Sequence, residues 1–130
     1  MAIFPPGSVH GGARRSIHVR ALAKIPLITT PVGTSTRRLL DEALEAAQIT
    51  ASFAVETDHR EAIAELVIAG AGAAILPRPV AQNAATRGVV VCDIRPRIAR
   101  RIALIHRTDA LSPAARAFMD VAAGRLVRAD

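Results

Sequence analysis

At 130 residues and 51% hydrophobic content, the chain can form one domain, or part of one, with a real core. It has no Trp or Tyr and only Phe4, Phe53 and Phe118, which argues against a platform for stacking single-stranded bases. The net charge of +6 permits attraction to phosphates, but the basic residues form small knots (Arg14-Arg15, Arg37-Arg38, Arg95 to Arg101) and no arm or tail.

Met1 to Gly12 is rich in breakers: Pro5, Pro6, Gly7, Gly11 and Gly12. Ile3 and Phe4 read as the tail of a strand, and Ala13 to Lys24 as a basic connector. Ile25, Leu27 and Ile28 then make the apolar run of a buried strand, punctuated by Pro31 and Gly33. Thr34, Ser35 and Thr36 fall where a helix has its cap and first turn. The helix itself is predicted over 35–48, with Leu39, Leu40, Ala43, Leu44 and Ala47 on one face.

Ala51 to Glu56 alternates as a strand, with Phe53 and Val55 expected on one face. Asp58 and Glu61 have capping-box spacing, which predicts a second helix opening at Asp58, with Ala62, Ile63, Leu66 and Val67 as its stripe and Gly70 as its stop. Ala73 to Leu76 is a short buried strand. Pro79 starts a third helix at its first position, ending at Gly88. Val89 to Ile94 and Ile98 to His106 read as strands. Ser112 caps a last helix beginning at Pro113, with Phe118, Val121, Ala122 and Leu126 expected inward. Strand and helix alternate for most of the chain, which predicts an α/β layer with a largely parallel sheet.

A helix N-terminus presents unpaired N–H groups and the positive end of a dipole. With three hydroxyls added, the turn before the first helix can seat a small anion. The alternative is that one hydroxyl simply caps the helix. Arg37 and Arg38 sit where the dipole disfavours cations, and a bound carboxylate would offset them; outward-pointing, solvated arginines explain them equally. In parallel sheets ligands lie beyond the carboxyl ends of strands. Both Thr29-Thr30 and Glu56-Thr57-Asp58 occupy such corners.

Other chemistry finds little support. Gly70-Ala71-Gly72 follows a helix and precedes a strand, the reverse of a dinucleotide loop, and reads as a tight turn. His10, His18, His59 and His106 share no metal-ligand spacing, and Cys92 is the only cysteine, so no metal site, disulfide or cofactor is expected. His59 near Glu56 and Asp58 permits a catalytic pairing on paper, but a solvent-exposed first-turn histidine is the simpler reading. No serine sits in a G-x-S-x-G elbow, and no catalytic residue is assigned. The N-terminus lacks the pattern of a signal peptide and no apolar run approaches a membrane span, so a cytoplasmic location without membrane contact is the default.

Pro26-Leu27-Ile28, Gly33 to Arg37, Glu56 and the run Leu66 to Pro77, followed by Arg101 to Arg107 and Leu111 to Phe118, resemble the effector-binding domain of LysR-type transcriptional regulators. The match extends over most of the chain from about Ile25 to Val121. The resemblance implies a fold like type 2 periplasmic binding proteins, with two α/β lobes and a small-molecule effector between them. It implies effector contacts by Thr34, Ser35 and Thr36, with Thr30, Thr57 and Asp58 on the same cleft.

The family's winged helix-turn-helix, its dimerising linker helix and most of its first lobe are not in this sequence. On this comparison, 1–24 is a connector and first-lobe remnant, 25–94 the second lobe, and 95–130 a return strand and C-terminal helix. The expected function is a non-catalytic, coinducer-sensing domain that binds a small organic acid, makes no sequence-specific DNA contact of its own, and self-associates. Two rivals are a solute-binding lobe used in transport, which the missing signal pattern disfavours, and a small basic nucleic-acid-binding protein.

Overall fold

The computed structural model describes residues 1–9, 16–106 and 111–126. His10, Gly11, Gly12, the pair Arg14-Arg15 and Arg107 lie outside them, as does the side chain of Leu126. The chain divides into two compact units, residues 1–100 and 101–130.

The first unit is a six-stranded sheet with helices on both faces. Its strands are β1 (Ala2–Phe4), β2 (Ser16–His18), β3 (Leu27–Thr29), β4 (Phe53–Glu56), β5 (Ala73–Ile75) and β6 (Val90–Arg95). Their order across the sheet is β2-β6-β1-β5-β3-β4. β2 runs parallel to β6, and β3 runs parallel to both β4 and β5. β1 is antiparallel to β5 and β6. Five strands therefore point one way and β1, in the middle, points the other. The expectation of a largely parallel sheet holds. Ile3 and Phe4, read as the tail of a strand, lie in β1, while the described part of the connector expected over Ala13 to Lys24 forms β2 and a 3-10 helix (Val19–Lys24).

The helices are α1 (Ser35–Ala46), α2 (Ala62–Ile68) and α3 (Arg78–Ala85). On one face α1 and the 3-10 helix cover the sheet. Leu40, Leu44, Val19 and Leu22 pack there against Leu27, Phe4, Cys92 and Ile94. On the other face α2 and α3 bring Ile63, Val67, Ala81 and Ala84 onto Ile3, Ile28 and Ala74. Small Ala side chains on β5 let both layers approach closely, which suits a core with so few aromatics.

Three local details differ from the sequence reading. Leu27 pairs with Phe53 while Ile28 pairs with Val55, so Ala54 is an extra residue in β4. Such a bulge turns the following side chains to the other face. Phe53 accordingly packs on the α1 side and Val55 on the α2 side, not together. α2 begins at Ala62, and its N-terminal residue Glu61 makes no side-chain cap. The capping box expected at Asp58 does not form: the Thr57 hydroxyl accepts from the His59 N–H at 3.2 Å, and tight turns follow through residue 61 before the helix begins. Residues 98–106 form no strand: a strand needs a ladder partner, and none is present among the described residues.

The turn Gly70 to Gly72 joins α2 to β5 as the sequence predicted. Gly72 lies against β3: a Cβ there would stand 2.5 Å from the Pro26 carbonyl oxygen. That carbonyl accepts from the Ala73 N–H at 2.9 Å. Glycine at 72 therefore permits the close approach that starts the β3–β5 ladder.

The second unit contains α4 (Pro113–Leu126). Ser112 caps it as expected, its hydroxyl accepting from the Ala115 N–H at 3.2 Å. Phe118 and Val121, expected inward, are 61% and 58% exposed. Among the described residues no helix is long and apolar enough to cross a membrane.

Candidate functional site

β3 is followed by α1, which leads outward to β4. The chain then returns past β3, through α2, to β5. The direction of winding reverses between β3 and β5. In open parallel sheets the crevice at such a switch point, at the carboxyl ends of the strands, is the usual ligand seat. Both candidate corners lie at this edge, where Thr29 and Glu56 are register partners.

The β3–α1 corner is built from its threonines. The Thr34 N–H donates to the Pro31 carbonyl at 3.2 Å across a tight turn. Gly33 sits in that turn at φ +93°, where other residues are strained. Thr34 is the N-cap: its hydroxyl oxygen accepts from the Arg37 N–H at 3.2 Å. The same hydroxyl donates to the Pro31 carbonyl at 2.9 Å and lies 2.6 Å from the Thr30 hydroxyl. A hydroxyl has one proton. With that proton on Pro31, Thr30 must be the donor to Thr34. Thr30 is only 2% exposed, so it braces the turn from beneath.

Ser35 and Thr36 differ from Thr34. They occupy the first two positions of α1, whose N–H groups have no intrahelical acceptor. Among the described residues, their hydroxyls make no hydrogen bond to the protein. Ser35 is exposed and Thr36 half-buried. The corner thus presents two backbone donors and two hydroxyls to the outside.

At the β4–α2 corner, the Thr57 N–H donates to the Thr29 carbonyl at 3.0 Å, holding the two corners side by side. Asp58 is exposed and its carboxylate lies 3.6 Å from His59. His59 also approaches Glu61, at 3.8 Å, and remains in solvent. Among the described residues no cluster of His, Cys, Asp and Glu is suited to a metal.

The sequence reading missed how Arg37 is used. Its Nε donates to both carboxylate oxygens of Asp41, at 2.8 and 3.1 Å, and its NH1 donates to Glu56 at 2.8 Å. The guanidinium lies 4.0 Å from the centre of the Phe53 ring. Hydrogen bonding to Asp41, with help from Glu56, raises its pKa further above the usual arginine range, so it is always charged. Arg38 is exposed and only 3.8 Å from Glu42. Arg37 therefore needs no bound anion to offset the dipole, because the protein supplies two carboxylates. The i,i+4 spacing of Arg37 and Asp41 was a legible signal. The partnership with Glu56 and Phe53 depends on the fold.

A three-layer α/β unit with one reversed strand at the sheet centre and polar corners at a switch point belongs to the class of periplasmic-binding-protein-like ligand-binding lobes. The LysR substrate binding domain family matches residues 1–126, and the chain belongs to that family. Among solved structures it is similar to the "Effector binding domain of QuiR in complex with shikimate", with a TM-score of 0.72 and 20% identity over 93% of this chain and 57% of that one. It is also similar to the C-terminal domain of a probable LysR family transcriptional regulator from Rhodococcus sp. RHA1, with a TM-score of 0.70 and 25% identity over 95% of this chain and 62% of that one. This chain thus spans less than two thirds of either. A comparison with curated proteins finds no match.

Proposed function

We propose that this chain senses a small organic acid, whose carboxylate sits on the N–H groups and hydroxyls of Ser35 and Thr36. The observation that carries the reading is the set of donors at the start of α1 that the protein leaves unused. Thr34 and Thr30 shape the turn that aims them. Thr57 and Asp58 supply hydrogen-bonding groups on the neighbouring corner, with Asp58 suited to accept from a ligand hydroxyl. The fold neighbour bound to shikimate, a hydroxylated carboxylate, is consistent with this ligand class. The carboxylate assignment rests on these donors alone, since Arg37 is already neutralised within the protein.

The role is regulatory and non-catalytic, in the cytoplasm, and needs no cofactor. Reading of DNA falls to a helix-turn-helix domain outside this chain. Self-association is proposed on the strength of Phe118 and Val121, which are exposed on α4 and favour an apolar partner.

The test is equilibrium binding of shikimate and a panel of related hydroxy acids to the full regulator. Ser35→Ala is expected to weaken the best of them by roughly two- to tenfold, the cost of about 0.5–1.5 kcal/mol for one neutral hydrogen bond. Unchanged affinity in both Ser35→Ala and Thr36→Ala would overturn the assignment. The chain alone is expected to show no sequence-selective band shift with promoter DNA at physiological salt; selective binding there would favour the nucleic-acid reading.

A further inference from the structure

The Arg37 side chain joins the two corners of the proposed site. It is 11% exposed, although it emerges from the third position of a surface helix. Through its own N–H it is tied to Thr34, and through Thr34 to Thr30 at the end of β3. Through NH1 it is tied to Glu56, the last residue of β4. Glu56 directly precedes Thr57, whose N–H returns to Thr29 at the end of β3. These contacts close a ring around the carboxyl edge: β3, the first turn of α1, the end of β4, and β3 again.

Stability alone does not call for this arrangement. A cation at a helix N-terminus opposes the dipole, and an apolar side chain would cover Phe53 equally well. The guanidinium offers something an apolar group lacks. Its planar fork engages Asp41 on its own helix and Glu56 on another element at once, while its face lies on Phe53. Ser35 and Thr36 immediately precede it, so fixing Arg37 fixes the direction of their N–H groups.

We propose that Arg37 is a positioning residue that couples the first turn of α1 to the β4–α2 corner through Glu56, so that the donors of Ser35 and Thr36 and the groups at Thr57 and Asp58 keep one geometry. It touches no ligand in this scheme. Its value for effector binding rests on the site proposed above; the coupling itself does not.

The experiment is amide hydrogen exchange by NMR on the full chain, at residues 37, 38 and 57, each of which has a stated acceptor. The effects should cross the ion pair. Glu56→Ala, made on β4, speeds exchange at residues 37 and 38 on α1. Arg37→Gln, made on α1, speeds exchange at residue 57. Each change is expected to be roughly three- to tenfold, the scale of one partly exposed charge-assisted bond, with the amides of β1 and α3 unchanged. Arg37→Lys keeps the charge but not the fork, so it is expected to behave like Arg37→Gln. Effects confined to the mutated corner, uniform acceleration everywhere, or full rescue by lysine would each overturn the coupling. Adding shikimate and the other acids of the panel to the same samples separates the two claims. If one of them shifts the amides of residues 35 and 36 in the parent and less in Arg37→Gln, the positioning role extends to binding. If those amides respond to no acid of the panel, or respond equally in both Ser35→Ala and Thr36→Ala, the site assignment falls and the coupling is judged on exchange alone.

Discussion

At the end of β3, Thr30 bonds to Thr34, Thr34 bonds to the backbone, and α1 begins at once. At the end of β4, Thr57 accepts from one amide, Asp58 stands in solvent, and α2 begins only at Ala62 without a side-chain cap. The two corners use similar residues and lie side by side. They differ in whether a buried hydroxyl is available to brace the turn. Thr30 is beneath the first corner, and nothing among the described residues plays its part beneath the second. A braced corner holds donors in advance, which favours recognition of one rigid group such as a carboxylate. The second corner is held from its flank instead, by Arg37 on Glu56 and by the Thr57 N–H on the Thr29 carbonyl.

The most disruptive way to test this contrast is to disturb the strands that carry both corners. Gly72→Ala drives a Cβ into the Pro26 carbonyl and is expected to cost about 2–4 kcal/mol, on the scale of core overpacking and backbone strain. Thermal melting would reveal it, and an unchanged midpoint would mean that β3 and β5 can separate cheaply. Next comes Thr34→Ala, which removes the cap and leaves the buried Thr30 hydroxyl without its acceptor. About 1–3 kcal/mol is expected, by denaturant titration, against a small loss for Thr34→Ser, which retains the oxygen.

Thr57→Ala sharpens the comparison from the other side. It removes only the contact to the His59 amide, and about 0.5 kcal/mol is expected. If Thr57→Ala proved as damaging as Thr34→Ala, the two corners would be equally braced and the contrast would be wrong. Asp58→Asn should be smallest, within about 0.5 kcal/mol, because the side chain is exposed and caps nothing.

A further expectation concerns alkaline pH. Burial pushes the Cys92 thiol above its ordinary range. Its folded pKa is therefore higher than its unfolded one. Stability from this group is complete below the unfolded pKa and falls as pH rises toward the folded value. The melting temperature should decline across that alkaline window in the parent and less in Cys92→Ala.

Much of this contrast was legible in the sequence. Alternating periods placed α1, β5, α3 and β6 within a few residues, and Ser112 and Gly70 marked ends that the fold keeps. These signals are local, so local pattern carries them. The bulge at Ala54 was not legible, because a single extra residue leaves the alternation of β4 intact while changing the face that each half presents. The Asp58 capping box had the right spacing, but the helix begins only at Ala62, past both of its residues. For Arg37, the dipole argument correctly found an anomalous cation and misassigned its partner, since Glu56 reaches it only after β3 and β4 pair. The central place of β1 was invisible for the same reason: three apolar residues carry no sign of where they will pair.

That last feature bears on how the chain comes to be folded. β1 comes before all the strands it pairs with, and both partners lie far along the chain from it. Its partners lie on β5 and β6, and the Met1 amino group meets the Leu76 carbonyl 75 positions away. Without β1, the sheet is two separate ribbons, β4-β3-β5 and β6-β2. Closing so long a loop is slow relative to forming the helices, so the joining of the two ribbons through β1 is expected late in folding. The two ribbons become one sheet only through the three residues of β1.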